Sequence, residues 1–290
     1  MKSVKKIYIL TGMVAFFAFI ATLMGIFSLG GSGGFEYESI RGQTVEIYGK
    51  GLYQHMSAEV AIQGIAQDYI TLFIGIPLLL ISLFYASKGS LRARFALAGT
   101  LGYFFVTYLF YLAMAMYNSL FLIYIILAGS SFFAFSLTVL SLYKESDPSL
   151  FSENAPAKLS GWFLMISSLS IALLWLSVVV PPLLDGSIYP SAVEHYTTLI
   201  VQGLDLSILL PLAFVSGYLL LKKEPGGYLL APIYLIFLSI LMAALIAKIV
   251  YMGLVGYNII PVIFIIPVIE IIAITCSVLM LKSIQANVPA

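Results

Sequence analysis

The chain has 290 residues, of which 61% are hydrophobic and 9% are charged, and its mean hydropathy is +1.06. These values lie far outside the range of soluble domains and predict an integral membrane protein whose first partner is the lipid bilayer. The formal net charge of +1 gives no basis for nucleic-acid binding. The single cysteine, Cys276, lies in an apolar run, which excludes an intrachain disulfide and a thiolate metal cluster.

Eight apolar runs are each long enough to cross the hydrocarbon core as a helix. We therefore predict an all-α, polytopic helical bundle in which residues 1–290 form one transmembrane domain. The first run, Ile7 to Leu29, is longer than the apolar part of a signal peptide and favours an uncleaved helix. A cleaved leader followed by seven helices is the alternative. The spans are predicted at about 7–29, 66–87, 95–116, 119–142, 159–183, 196–221, 227–253 and 257–281.

Basic residues are concentrated in alternate loops. Eleven of the fourteen lie before the first span or after the second, fourth, sixth and eighth spans, and only Arg41 and Lys50 lie in loops on the other side. By the positive-inside rule, this distribution places both termini in the cytoplasm. We expect a multi-pass protein of the plasma membrane, and the sequence leaves its oligomeric state open.

The only long loop on the predicted outer side covers about residues 30–65. It starts with the flexible sequence GGSGG, and TVEIY followed by GKG predicts a short strand and a turn. Ser57 is placed to cap the helix that follows. We interpret the segment as a lid over the outer face, and a disordered linker is the alternative.

The second and sixth spans align without gaps. The alignment suggests a 4+4 parallel repeat, because four helices separate the two spans and both halves would have the same topology. Sites in proteins built from repeats often lie where the two halves meet. The alignment pairs Pro77 with Pro211, Ser82 with Ser216, Lys88 with Lys222, Asp68 with Gln202 and Thr71 with Asp205.

Four ionisable residues fall within predicted spans: Asp68, Asp205, Lys248 and Glu270. A charge at the bilayer centre costs on the order of 3 kcal/mol, so such residues normally face water or a partner. Lys248 is expected to pair with Asp205 or Asp68, and Glu270 to act as a deeper proton or ion relay. The alternative is that the ion pair only fixes the register of the helices.

Polar residues at helical spacing accompany both acids. Two such stripes descending from one side predict a water-filled vestibule. Tyr103, Thr107 and Tyr111 on the third span are either interfacial anchors or further lining. The stripes consist of His195, Thr198, Gln202 and Asp205 on the sixth span, and of Glu59, Gln63, Gln67 and Thr71, with Asp68 beside them, on the second.

No catalytic motif is present: HExxH, GxSxG, a phosphate-binding Walker loop and GxGxxG after a strand are all missing from the sequence. This favours a protein that is not an enzyme, and no cofactor is expected. His55, Glu59 and His195 are weak candidates for a metal site, since two histidines and a carboxylate suit zinc. Solvated surface histidines are the preferred interpretation.

Several stretches resemble a broad, uncharacterised family of prokaryotic multispanning membrane proteins. The resemblance implies the architecture and attaches no activity. The chain departs from the family pattern at Phe237, where a charged or small residue is expected, so the resemblance assigns no role to the later Lys248. The stretches are VEIYGKGLY, QDYITLFIGIPLLL, GSLRARFALAGTLGYFF, YNSLFLIYI, and LDLSILLPL followed by GGYLLAP.

The leading hypothesis is a carrier or permease for a small solute or ion, with a vestibule open to the outside. Asp68 and Asp205 would bind a cation or an amine, and Lys248 would balance their charge. One alternative is a ligand-sensing or assembly subunit that transports nothing. The other is a membrane-embedded enzyme that acts on a lipid or a quinone.

Overall fold

A computed structural model describes residues 2–144 and 148–285, with side chains described from residue 5 onward. The protein is 76% helical, and the described residues contain eight helices long and apolar enough to cross a membrane. The predicted all-α membrane bundle is therefore confirmed. The helices are α1 (Lys2–Phe27), α2 (Ala58–Ile70), α3 (Ile76–Ser87), α4 (Leu91–Met114), α5 (Phe121–Tyr143), α6 (Ala157–Val179), the short α7 (Pro181–Asp185), α8 (Ile200–Leu204), α9 (Leu210–Leu221), α10 (Pro225–Leu254) and α11 (Val262–Ser283).

Several predicted span boundaries differ from the structure by a few residues. The helix of the second span begins at Ala58, directly after the predicted cap residue Ser57, so the apolar run predicted from residue 66 covers only its later part. The sixth span begins at Ile200 rather than at 196. Residues just before it form a short 3₁₀ turn (Ser191–Val193) and a backbone reversal at Glu194, where φ is +49°.

A small β-hairpin lies between α1 and α2. Strand β1 (Phe35–Glu38) pairs antiparallel with β2 (Thr44–Ile47), which confirms the predicted strand. Side chains of β2 alternate between exposed and buried, as expected for a strand with one face on the protein. Gly49 follows with φ of +69°, and its backbone carbonyl accepts a hydrogen bond from Gly33 at 2.9 Å. We call the end of the bundle that carries this segment the hairpin face.

The hairpin is attached to the loop that precedes α8. The Arg41 guanidinium donates to the backbone carbonyl of Tyr196 at 2.9 Å and to those of Thr197 and Glu194 at 3.3 and 3.4 Å. Ser57, which stands at the predicted cap position, makes no side-chain cap. Its backbone N–H instead donates to the Tyr196 hydroxyl at 3.2 Å. These contacts join the first and second halves of the chain at the hairpin face.

Helices α4 and α10 form the centre of the bundle. Two thirds of the apolar window of each helix is buried, whereas α6 buries 11% and α11 22% of theirs. Helix α10 packs against α2, α4, α9 and α11, and α4 packs against α3, α5 and α10. Small residues allow the close approach: a methyl group added at Gly99 of α4 would lie 2.6 Å from the Ile236 side chain of α10.

Two spans contain a π-helical segment just before their mid-span proline. In the second span, Thr71–Gly75 is π-helical and joins α2 to α3, which contains Pro77. In the sixth, Asp205–Leu209 is π-helical and joins α8 to α9, which contains Pro211. A π-helical turn inserts an extra residue between hydrogen-bonded backbone groups, so the helix direction can change there.

The structure around the two π segments recurs at one offset of 134 residues. The segments start at Thr71 and Asp205, and α3 and α9 have the same length. A residue with left-handed backbone, Gly89 or Lys223, lies two positions after the end of each helix and shortly before the next span. The backbone N–H of Ser90 then donates to the carbonyl of Tyr85 at 3.1 Å, and that of Glu224 donates to the carbonyl of Leu219 at 3.0 Å. Backbone conformation thus repeats across residues 71–91 and 205–225.

Candidate functional site

A small cavity lies among α2, α4, α8 and α10 near the hairpin face. Its volume is about 100 Å³. The cavity wall includes two residues from the segment before α2, Tyr53 and Met56, so this segment contributes directly to it. Its polar lining consists of Tyr53, Gln63, Gln67, Thr107, Tyr111 and Lys248, and its apolar lining includes Met56, Val60, Phe110, Met114, Val201 and Leu241.

Gln67 is a buried polar residue of the cavity wall, with 4% of its surface exposed. The Thr71 hydroxyl donates to the Gln67 backbone carbonyl at 2.9 Å, so its oxygen must accept the proton of the Tyr103 hydroxyl, which lies at 2.7 Å. Tyr103 can then only accept from the Gln67 amide nitrogen, at 2.8 Å. The network thereby fixes the orientation of the amide, and the Gln67 side-chain oxygen is buried without a hydrogen-bond partner among the described residues.

Asp68 points away from this cavity towards α1. Its carboxylate lies against Gly25, where a Cβ atom would collide with it. The Tyr53 hydroxyl donates to one carboxylate oxygen at 2.5 Å, and the Tyr111 hydroxyl donates to the other at 3.0 Å. Burial raises the pKa of Tyr53 well above its usual value, and the nearby carboxylate raises it further, so the phenol remains a donor. Both tyrosines line the cavity and separate Asp68 from it.

Lys248 is the one basic residue, and no acidic residue stands, among the described residues that line the cavity. Asp205 and Asp68 both interact with its ammonium electrostatically, yet neither carboxylate lies within 4.0 Å of it. Lys248 therefore forms no direct ion pair with either acid. The structure does not bring the three charged residues into one cavity, since only Lys248 lines it.

Asp205 is held by a residue from another helix. The indole N–H of Trp175 on α6 donates to the Asp205 carboxylate at 2.8 Å. Gln202 faces a different cavity of about 440 Å³, which it shares with Arg41 and Thr198. In the stripe predicted for the sixth span, Asp205 therefore contacts α6, while Gln202 and Thr198 line the second cavity.

His195 and Thr198 precede the first residue of α8, so the prediction that they continue the stripe along one helix is wrong. The His195 ring contacts the backbone carbonyl of His55 at 3.1 Å, not its imidazole. Among the residues that the structure describes, no group of three histidine, cysteine or acidic side chains could hold a metal ion. Burial raises the pKa of Tyr196, next to His195, to about 12, so this hydroxyl stays protonated where it accepts the Ser57 N–H.

Glu270 lies on α11, which contributes no residue to the cavity. It is half-buried, and one of its carboxylate oxygens has no hydrogen-bond partner in the described part of the chain. Nothing in the geometry connects it to Lys248 or to Gln67. Its role as a relay stays a prediction.

Sequence reasoning missed two site residues, Tyr53 and Trp175. Tyr53 belongs to a short 3₁₀ turn (Gly51–Tyr53) outside the apolar runs, where no periodic pattern identifies which side chain turns inward. Trp175 lies on an apolar helix, and the indole N–H is the only polar group of its side chain. Because a buried indole N–H normally needs an acceptor, this group was the feature of the sequence that could have indicated a partner for Asp205.

Gln63 and Gln67, which were predicted to line a vestibule, are among the residues around the cavity, and so are Thr107 and Tyr111, for which lining was one of two interpretations. Tyr103 contacts Gln67 from outside the lining. Eight membrane-spanning helices make this chain a multi-pass membrane protein. Comparisons with protein-family models, with curated proteins and with solved structures gave no match.

Proposed function

We propose that the protein is a membrane carrier or permease for a small polar solute and that the cavity around Lys248 and Gln67 is its binding site. The observation that carries the proposal is a cavity among apolar spans that is lined, within the described residues, by a lysine without a direct ion pair and by a buried amide oxygen without a hydrogen-bond partner. Unsatisfied polar groups at membrane depth are costly, so their retention indicates an occupant.

The size of the cavity restricts the class of solute. Sites for drug-sized ligands have volumes of about 300–1,000 Å³, and the cavity, at about 100 Å³, lies well below this range. A lipid head group with its chains, or a quinone, does not fit this space. The volume therefore favours a small solute over the lipid- or quinone-modifying enzyme.

The two broken spans support a transport function. Many carriers consist of repeated units whose discontinuous helices flank a site near the middle of the membrane. Here the second and sixth spans have π segments at positions related by the 134-residue offset. In this proposal the chain is a 4+4 parallel repeat, and the cavity lies where its halves meet. Gln67 and Tyr111 come from the first half, and Val201 and Lys248 from the second.

The segment between α1 and α2 acts as a lid in this proposal. Tyr53 and Met56 cover the cavity from the hairpin face, and Arg41 anchors the hairpin to backbone carbonyls of the second half. Release of the Arg41 contacts would let the segment lift and admit the solute. The plasma membrane, with the hairpin face outside, is the location that the distribution of basic residues favours.

The test is uptake into proteoliposomes of small radiolabelled polar solutes that cover anions, cations, neutral molecules and zwitterions. Lys248→Met removes the ammonium and keeps the length of the side chain, and Lys222→Met removes a lysine at the opposite end of the sixth span. We expect uptake of at least one solute by the wild type and by Lys222→Met, with at least a tenfold loss in Lys248→Met. Absence of uptake for the whole panel would refute the carrier.

The second candidate is a ligand sensor, and the observation that favours it is the closed arrangement of the hairpin. A sensor would bind a solute without net flux. Saturable binding in detergent together with zero uptake would therefore select the sensor over the carrier. If Lys248→Met lowers stability and leaves binding and uptake intact, the charged residues only fix the register of the helices.

A further inference from the structure

We infer that the solute is a small zwitterion that carries an amine and a carboxylate, and that the cavity binds these two groups at different places. The inference concerns the class of solute and rests on the proposed function for the role of the cavity. It is drawn from the polar groups of the cavity wall that lack direct partners.

The carboxylate of the ligand is assigned to Lys248. Neither buried acid is in direct contact with this ammonium, because Asp68 is hydrogen-bonded by Tyr53 and Tyr111 and Asp205 by Trp175. The ammonium of Lys248 is a donor of up to three hydrogen bonds and has no acceptor capacity. A carboxylate inside the cavity would supply the contact that the protein itself withholds.

The amine of the ligand is assigned to the Gln67 side-chain oxygen. The hydrogen bonds among Thr71, Tyr103 and Gln67 direct the Gln67 amide nitrogen towards the Tyr103 hydroxyl. The Gln67 side-chain oxygen therefore points the other way, and it has no hydrogen-bond partner among the described residues. Only a donor can satisfy it. The rings of Tyr53 and Tyr111 line the same cavity, and aromatic faces attract an ammonium group. The Asp68 carboxylate behind these rings acts in the same direction at longer range.

Charge balance favours a zwitterion over an ion of either sign. A free anion would leave the Gln67 oxygen without a donor, and a free cation would be repelled by Lys248. A zwitterion adds no net charge to this low-dielectric region, so each of its ends can meet the matching group. The volume of about 100 Å³ restricts the choice to the smallest members of the class, such as glycine.

The test is binding to the full-length protein in detergent, measured by calorimetry with four ligands of similar size: glycine, acetate, ethylamine and acetamide. We expect saturable binding of glycine and at least about tenfold weaker binding of the other three. Lys248→Met and Gln67→Leu should each weaken glycine about tenfold or more, while Lys222→Met leaves it unchanged. Acetate should lose affinity in Lys248→Met and not in Gln67→Leu.

Three results would overturn the inference: acetate or ethylamine binding as tightly as glycine, glycine binding unaffected by both cavity variants, or no binding of any ligand, in which case the cavity holds water only. If a variant fails to fold, the four-ligand comparison on the wild type still decides. Binding without flux would refute the carrier and leave the inference intact. Uptake of acetamide alone would refute the inference and leave the carrier intact.

Discussion

Removal of one hydroxyl group tests how Asp68 is held. Tyr53→Phe keeps the ring and deletes only the donor to the carboxylate, which is 1% exposed and accepts this bond at 2.5 Å. Hydrogen bonds between helices in membranes average about 0.6 kcal/mol, whereas bonds to charged groups contribute about 1.5–3 kcal/mol. Because Asp68 keeps only the longer bond from Tyr111, we expect the free energy of unfolding to fall by about 1.5–3 kcal/mol.

The assay is a double-mutant cycle with Asp68→Asn, in which the free energy of unfolding is measured by chemical denaturation in detergent. The cycle isolates the interaction between the two side chains from the other effects of each substitution. We expect a coupling energy of about 1.5 kcal/mol. Tyr117→Phe is the control, since the Tyr117 side chain is 79% exposed, and its effect should stay within about 0.5 kcal/mol. A coupling energy below about 0.5 kcal/mol would refute this account of Asp68.

Three further substitutions test other parts of the structure. Gly25→Ala places a methyl group against the Asp68 carboxylate and should lower the free energy of unfolding by roughly 1–3 kcal/mol. Gly12→Ala on the same helix meets nothing within 4 Å and should be neutral, so equal effects of the two substitutions would contradict the packing. Arg41→Ala should speed amide hydrogen exchange in the hairpin about tenfold, and unchanged exchange would show that the carbonyl contacts do not hold it. Asp205→Asn should shift the fluorescence emission of Trp175 in protein whose other tryptophan is phenylalanine; an identical spectrum would argue against the hydrogen bond.

The architecture was predictable because hydropathy reports the property that determines it. A chain in lipid must satisfy its backbone within each span, so long apolar runs become helices. The strand at Thr44–Ile47 was predictable for a similar reason, since its alternation matches the two faces of a sheet. The helix of the second span was predictable from Ser57 and from the spacing of Glu59 and Gln63, whereas hydropathy located only its apolar part, because its first turns carry polar side chains such as this pair, which bond to each other at 3.3 Å.

The site was only partly predictable, because a stripe on one helix does not reveal what faces it. Gln63 and Gln67 were found from their spacing, and both do line the cavity. The similar depths of Lys248 and the acids suggested a direct ion pair. The structure instead has the Asp68 carboxylate accepting a hydrogen bond from Tyr53 and the Asp205 carboxylate accepting one from Trp175. Tyr53 and Trp175 act through single polar atoms on apolar rings, and only the three-dimensional structure shows where these atoms point.

The two π segments are surrounded by different residues. Thr71 and Asp205 occupy corresponding positions, but Val201 stands where the first half has Gln67, and Phe237 where it has Tyr103. The second half therefore cannot form the network that orients an amide oxygen into a cavity. Lys248 comes from the second half, so in the proposed function a ligand held by Gln67 and Lys248 would bridge the two halves. Any movement of one half against the other changes the distance between these groups, which couples occupancy of the cavity to that movement.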